Sequence, residues 1–197
     1  MRRRIVVGVT GASGAVYAAR ALAFLRECPG VQVDLVFSKT GRLVWNHEVG
    51  DDPSGFGFPV WAPSDFTAPF ASGGARIDGM LVIPCSSGAA ARIAHGLSID
   101  LIGRAADVTL KERRPLVLVL REAPLSLIHL RNLTQLAEAG ATVLPASPGF
   151  YHLPTTIEGL VDHVVSRALD RLGIDNELYH RWSGLPRAAE PEDHDAG

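Results

Sequence analysis

Five consecutive large aliphatic residues, Leu116 to Leu120, stop abruptly at Arg121-Glu122. So short an apolar run, without polar alternation, is the pattern of a strand covered on both faces, as in the parallel sheets of layered α/β folds. The stretch before it holds Arg104, Lys111, Glu112, Arg113 and Arg114, and reads as a solvated helix end leading into that core strand. In an open parallel sheet, ligands bind in the crevice outside the carboxyl ends of the strands. Arg121 and Glu122 therefore stand where a site is expected.

The same unit recurs along the chain. Ile5 to Val9 is a β-branched run that opens into the glycine turn Gly8 to Gly14 and a helical pattern from Ala15 to Leu25. Val31 to Ser38 is a second strand, and Ser38-Lys39-Thr40 begins a helix that runs through Trp45 to Glu48. Gly79 to Cys85 is a third, turning through Ser86-Ser87-Gly88 into a helix from Ala89 to His95. Ser126 to Ala139 carries leucines at helical spacing and stops at Gly140, and Ala141 to Leu144 is the last core strand. Thr155 and Glu158 form a capping box for a final helix to Leu172, which stops at Gly173. Strands alternating with helices predict a doubly wound α/β fold with a mainly parallel sheet, Rossmann-like, in one domain over 1–185, with a disordered tail over 186–197.

Glycines at 8, 11 and 14 let backbone approach a ligand, and a helix N-terminus after them favours a phosphate. Their spacing is not that of the dinucleotide fingerprint, and no acidic residue follows the next strand to hold a second ribose, so a mononucleotide is expected. Ser38 either caps its helix or touches the ligand. Trp61 and Phe66 lie in turn-rich sequence, where an aromatic is more often a ligand wall or an interface than core. Cys85 reads as a small core hydrophobe and not a nucleophile. Arg167, among Val164, Val165, Ala168 and Leu169, either flanks the core or holds a phosphate.

A formal net charge of -2 on 197 residues excludes a nucleic-acid surface, which carries a concentrated basic excess. The apolar run after Arg2-Arg3-Arg4 breaks at Thr10-Gly11, too soon for a signal peptide, and the chain shows no membrane segment. Cys28 and Cys85 are then reduced thiols in a cytoplasmic protein. No metal-ligand spacing occurs among the seven histidines.

Several blocks occur in a fixed order: GASGAVYAARAL, VFSK, ASGG, IPCSSG, RAADVTLKERRPLVLVLREAPL, HLRNLTQLAEAGATVLPASPGFYHLPTTIEGLVD and a closing RW. Together, to about Trp182, they closely resemble the UbiX family of flavin prenyltransferases. The resemblance implies a flavoprotein-type fold and an enzyme that transfers a dimethylallyl group from dimethylallyl phosphate to N5 and C6 of reduced flavin mononucleotide (FMN). It also implies a homo-oligomer, a dodecamer, whose product serves a UbiD-type decarboxylase. By the same resemblance Gly11, Ala12, Ser13, Ser38, Ser86, Ser87, Gly88, Ala89 and Arg121 hold the flavin. Tyr151 and Arg167 hold the prenyl phosphate, with Lys111 and Arg104 as further cations. Ser13, Glu48, Glu122 and Lys111 serve the chemistry, and Phe66 and Trp182 offer aromatic faces to an allylic cation. Phe66 stands where members commonly have tryptophan, and Ala89 where they commonly have threonine.

These residue types suit that chemistry. Arginine and lysine neutralise a departing phosphate, the work a magnesium ion often does, so no metal is expected. Aromatic faces stabilise the cation without trapping it. Ring closure needs one proton delivered and one removed, with Glu122, Glu48 and Ser13 as candidates. A cysteine-decarboxylase-like flavoprotein would share fold and flavin but lack the KERRP block and the Tyr151–Arg167 pair, and a non-catalytic flavin carrier would bind without reacting.

Overall fold

The computed structural model describes residues 3–184. Six strands form one all-parallel sheet: β1 (Arg3–Val9), β2 (Val31–Phe37), β3 (Val60–Trp61), β4 (Gly79–Cys85), β5 (Leu116–Leu120) and β6 (Thr142–Pro145). Their spatial order is β3-β2-β1-β4-β5-β6. The helices are α1 (Ala15–Glu27), α2 (Lys39–Glu48), α3 (Ser87–Ala94), α4 (Leu101–Lys111), α5 (Leu127–Glu138) and α6 (Ile157–Arg171). This is the doubly wound order, and its topological switch point lies between β1 and β4, where such folds place ligands.

Every residue of β4 and β5 is buried, because helices cover both faces. On one face Leu22 and Leu25 of α1 and Val164 and Leu169 of α6 pack on Ile5, Val7, Leu81 and Val117. On the other, Ile93 of α3, Ile102 and Ala105 of α4 and Leu136 of α5 pack on Val6, Met80, Val82 and Leu118. Each large aliphatic buried in this way contributes about 1.5–3 kcal/mol, so the sheet is a rigid frame for the loops at its carboxyl edge. Cys85 belongs to that core, and burial pushes its thiol up to about 12.

Element boundaries follow the sequence pattern closely, with local corrections. The cap of α6 is Thr156 and not Thr155: its hydroxyl accepts the Gly159 N–H at 3.1 Å. Glu158 then sits one position too early to close a capping box. Such a box forms instead at α5, where Ser126 and His129 each accept the other's backbone N–H. α3 begins two residues before Ala89, at Ser87. Trp61 is half-buried: its Nε1 donates to the buried Asp34 at 2.9 Å, its ring meets Phe70 edge-on, and it lines a cleft with Phe37, Ser38 and Arg42. The expected tail, 186–197, lies outside the described residues. No helix among those described is long and apolar enough to cross a membrane.

Candidate functional site

At the carboxyl edge of the sheet, the loops after β1, β5 and β6 carry most of the candidate residues, with the turns at Ser38 and Ser86 between them. The first is the turn between β1 and α1. Thr10 fixes its base, since its hydroxyl donates to the Pro84 carbonyl and accepts the Ser86 N–H, both at 2.8 Å, and so ties the ends of β1 and β4 together. Glycine is needed at 11, where a Cβ would lie 2.5 Å from the Cβ of Thr40 at the start of α2. Gly14, at φ 110°, begins α1 without a side chain to cap it. The cap comes from Glu48 at the far end of α2, whose Oε2 accepts the N–H groups of Gly14 at 2.8 Å and Ala15 at 2.7 Å. Burial alone would raise the Glu48 carboxyl, but the hydrogen bonds from Ser13, Gly14 and Ala15 and the Arg121 charge outweigh it and hold it below the ordinary range. The first helix N-terminus, where the sequence points to a phosphate, thus already faces an anion of the chain itself.

The second loop leaves β5. Arg121 reaches back to the first loop, its Nε donating to the Ser13 carbonyl at 3.0 Å. Glu122 turns toward α3 and accepts the Ser87 hydroxyl at 2.6 Å. That hydrogen bond holds its carboxyl below the ordinary range, helped by the Ala123 N–H and the charges of Arg121 and His129. Ser86 caps α3 by accepting the Ala89 N–H at 3.2 Å, so position 89 contributes a backbone donor to the cap without needing a hydroxyl. Ser38 caps α2 in the same way, accepting the Gly41 N–H at 2.9 Å. The amides of Ser87 and Gly88 occupy the open first turn of α3, where a helix has no internal acceptors to offer.

The third loop follows β6 and carries Tyr151. Its hydroxyl lies 3.1 Å from His163 Nε2 and 3.3 Å from the Tyr179 hydroxyl. Trp182 meets the Tyr151 ring edge-on at 5.6 Å between centroids, and His152 stacks on His163. Arg167, one helical turn beyond His163, is exposed and makes no hydrogen bond or ion pair among the described residues. With His163 and Ser147 it lines a cleft of about 350 Å³ beside β6. Arg167 thus flanks the buried Val164, Val165, Ala168 and Leu169 while its own side chain is exposed at this cleft.

The chain thus gathers Gly11, Ala12, Ser13, Ser38, Glu48, the Ser86 to Ala89 turn, Arg121 and Glu122 about the switch point, and Tyr151, Arg167 and Trp182 in a neighbouring group. It does not gather the rest. Lys111 ends α4 on the side that leads into the amino end of β5, paired with Glu112 at 2.6 Å. Arg104 donates to the Ala71 carbonyl at 2.8 Å and pairs with Asp107 at 2.9 Å. Phe66 is exposed on the loop after β3, and no aromatic contact joins it to Tyr151 or Trp182 among the described residues. The sequence pattern alone does not mark His152, His163 or Tyr179 as site residues. The one available signal was the four-residue spacing of His163 and Arg167, which puts both on one face of α6.

A family model described as "Flavoprotein" matches residues 1–169. The flavin prenyltransferase UbiX of Synechocystis sp. is 44% identical over 203 residues, covering 93% of this chain and 98% of its own length. A crystal structure of AnUbiX (PadA1) in complex with FMN and dimethylallyl pyrophosphate superposes with a TM-score of 0.90 at 44% identity, covering 94% of this chain and all of that one. A dodecameric FMN-dependent UbiX-like decarboxylase from Escherichia coli O157:H7 does so with a TM-score of 0.89 at 42% identity, over 92% of this chain and 100% of its own.

Proposed function

The chain belongs to the Flavoprotein family, among its UbiX flavin prenyltransferases, and from that membership we propose how its residues bind FMN and transfer a dimethylallyl group to it. The observation that carries the proposal is the convergence of Ser13, Glu48, Arg121 and Glu122 on the switch point, beside a second group that offers a phenol and a cation with no ion-pair partner among the described residues. Reduced FMN is the acceptor substrate and supplies the nucleophilic N5. The first glycine turn, with Arg121 tied to its Ser13 carbonyl, would hold the flavin ring of FMN. Its phosphate is held at the N-termini of α2 and α3, by Ser38 and the Ser86 to Ala89 turn, because Glu48 takes the corresponding donors of α1.

Dimethylallyl phosphate binds with its phosphate toward Tyr151 and Arg167. A donor and a fixed cation aimed at the leaving oxygens stabilise the charge that develops as the allylic bond breaks, an effect worth about 10²- to 10³-fold per group. Trp182 and Tyr151 line the path of the cation with π faces. Ring closure at C6 needs one proton delivered to the prenyl double bond and one removed from C6: Glu122, ionised at neutral pH, would accept the one removed, with Glu48 and Ser13 the candidates to deliver the other.

Lys111 and Arg104 do not reach Tyr151 within one chain. If they serve the same phosphate, they do so from a neighbouring subunit, which agrees with a mean hydropathy of +0.15 and with Leu43, Ile128, Phe150, Leu153 and Ile157 left exposed. We read the assembly as a homo-oligomer, a dodecamer, that works in the cytoplasm and hands its product to a UbiD-type decarboxylase. The test is anaerobic incubation with reduced FMN and dimethylallyl phosphate, followed by mass analysis of the flavin. A gain of one isoprenyl unit supports the assignment, and unchanged flavin mass under turnover conditions rejects it.

A further inference from the structure

His163 is 8% exposed and has both ring nitrogens engaged. The Gly149 N–H points at its Nδ1 at 3.3 Å, and its Nε2 lies 3.1 Å from the Tyr151 hydroxyl. A backbone N–H can only donate, so Nδ1 must be the bare, accepting nitrogen, and the neutral ring carries its hydrogen on Nε2. A proton added at Nδ1 would set N–H against N–H. Burial, the neighbouring His152 and the Arg167 charge also lower the imidazole's proton affinity. His163 therefore donates to Tyr151. The phenol oxygen has one hydrogen and two lone pairs. With His163 filling one of its accepting positions, its own hydrogen must point elsewhere, toward Tyr179 at 3.3 Å or toward a ligand on that side. The hydrogen bond with Tyr179 raises the Tyr151 phenol above its ordinary range, so that hydrogen stays in place at neutral pH.

We propose that His163 is a positioning residue which, with its tautomer set by Gly149, holds the Tyr151 hydroxyl as a donor to an anionic oxygen of the prenyl phosphate beside Arg167. The inference rests on the reading of Tyr151 and Arg167 as the pair that holds this phosphate. Its frame leaves the imidazole little freedom. His152 stacks on His163 with rings 5.1 Å apart and 5° from parallel, and Tyr179 closes edge-on at 4.8 Å. A side chain at 149 would push on Tyr151 and His163, since its Cβ would lie 2.9 Å from Tyr151 Cε1 and 3.3 Å from His163 Nε2. His163 and Arg167 share one face of α6, so a single helix fixes both the cation and the orienter of the phenol.

The experiment compares the wild type with His163→Phe, His163→Gln, Tyr151→Phe and the Tyr151→Phe/His163→Phe double variant. KM for dimethylallyl phosphate, kcat and FMN affinity are measured for each. His163→Phe keeps a planar ring without the donor. It should raise KM about fivefold, the loss of one net hydrogen bond, with FMN affinity unchanged. His163→Gln, whose amide can place an N–H near the position of Nε2, should recover most of that loss. In the Tyr151→Phe background the His163→Phe change should cost nothing further, the coupling expected of contacting residues. An unchanged KM in His163→Phe, equal losses with and without the Tyr151 hydroxyl, or no recovery in His163→Gln overturns the inference while leaving Tyr151 as a phosphate ligand. If the wild type prenylates and Tyr151→Phe leaves KM unchanged, the phosphate reading itself fails, and His163's role with it.

Discussion

The carboxylate of Glu48 accepts the backbone N–H of Gly14 at 2.8 Å, so the last turn of α2 caps the first turn of α1. In dinucleotide-binding relatives of this topology that helix N-terminus receives a pyrophosphate. Here it faces a negative charge, and the remaining helix starts, at Ser38 and Ser86, can enclose one phosphate. The protein should therefore bind FMN more tightly than the adenine dinucleotide form. A fluorescence titration with both flavins checks this, and equal affinities would sink it.

The same contact carries a pH signature. Hydrogen bonds and Arg121 lower the folded-state pKa of Glu48, so its contribution to stability is complete above the unfolded value, about 4.3, and is lost as pH falls through the folded one. Glu48→Ala should destabilise the fold at pH 7 by about 0.5–2 kcal/mol, the usual cost of a lost cap. Thermal melts from pH 7 down to pH 3 should show wild type and variant converging toward the acid end. A gap that stays constant with pH would assign the loss to packing.

The frame of this fold can be read in the sequence because a parallel sheet covered on both faces leaves uninterrupted aliphatic runs such as Gly79 to Cys85 and Leu116 to Leu120. The site can be read only in part. Arg121 and Glu122 announce themselves as charges ending a buried strand. Glu48 and Gly14 are 34 residues apart, and no local pattern joins them. His163 looks like an interruption of an apolar helix face until the fold lays the loop of Gly149 and Tyr151 across it. The Thr155-Thr156 pair shows the finer limit: adjacent identical residues suit a cap equally well, and the backbone selected the second.

If Arg167, and Lys111 from a neighbouring subunit, hold the departing phosphate as proposed, Arg167→Ala and Lys111→Ala should each reduce prenylation by about 10²- to 10³-fold while leaving FMN bound. Their separation within one chain makes a sharper test. If Lys111 acts from a neighbouring subunit, refolding the two inactive variants together should restore part of the activity, since some sites then hold one intact copy of each residue. Absence of any recovery in verified mixed oligomers, or a monomeric mass in light scattering, would remove the shared-site reading. Loss of flavin from either variant would place that residue at the other phosphate.

Glu122 offers the most direct test of the proton path. Its carboxylate is held below the ordinary range first by the Ser87 hydroxyl, so at neutral pH it is a base with an empty proton position. If it merely balances Arg121, Glu122→Gln should remain active, because the amide oxygen still accepts from Ser87 and the shape is kept. If it accepts the proton released on ring closure, the amide cannot do so, and single-turnover rates should fall by about 10²- to 10⁴-fold with both substrates still bound. Ser87→Ala separates charge from position: it leaves the carboxylate but removes the largest cause of its depressed pKa. The acid limb of the rate profile should therefore move to higher pH in Ser87→Ala and lie flat in Glu122→Gln. A wild-type rate in Glu122→Gln would leave Glu48 and Ser13 to move the protons.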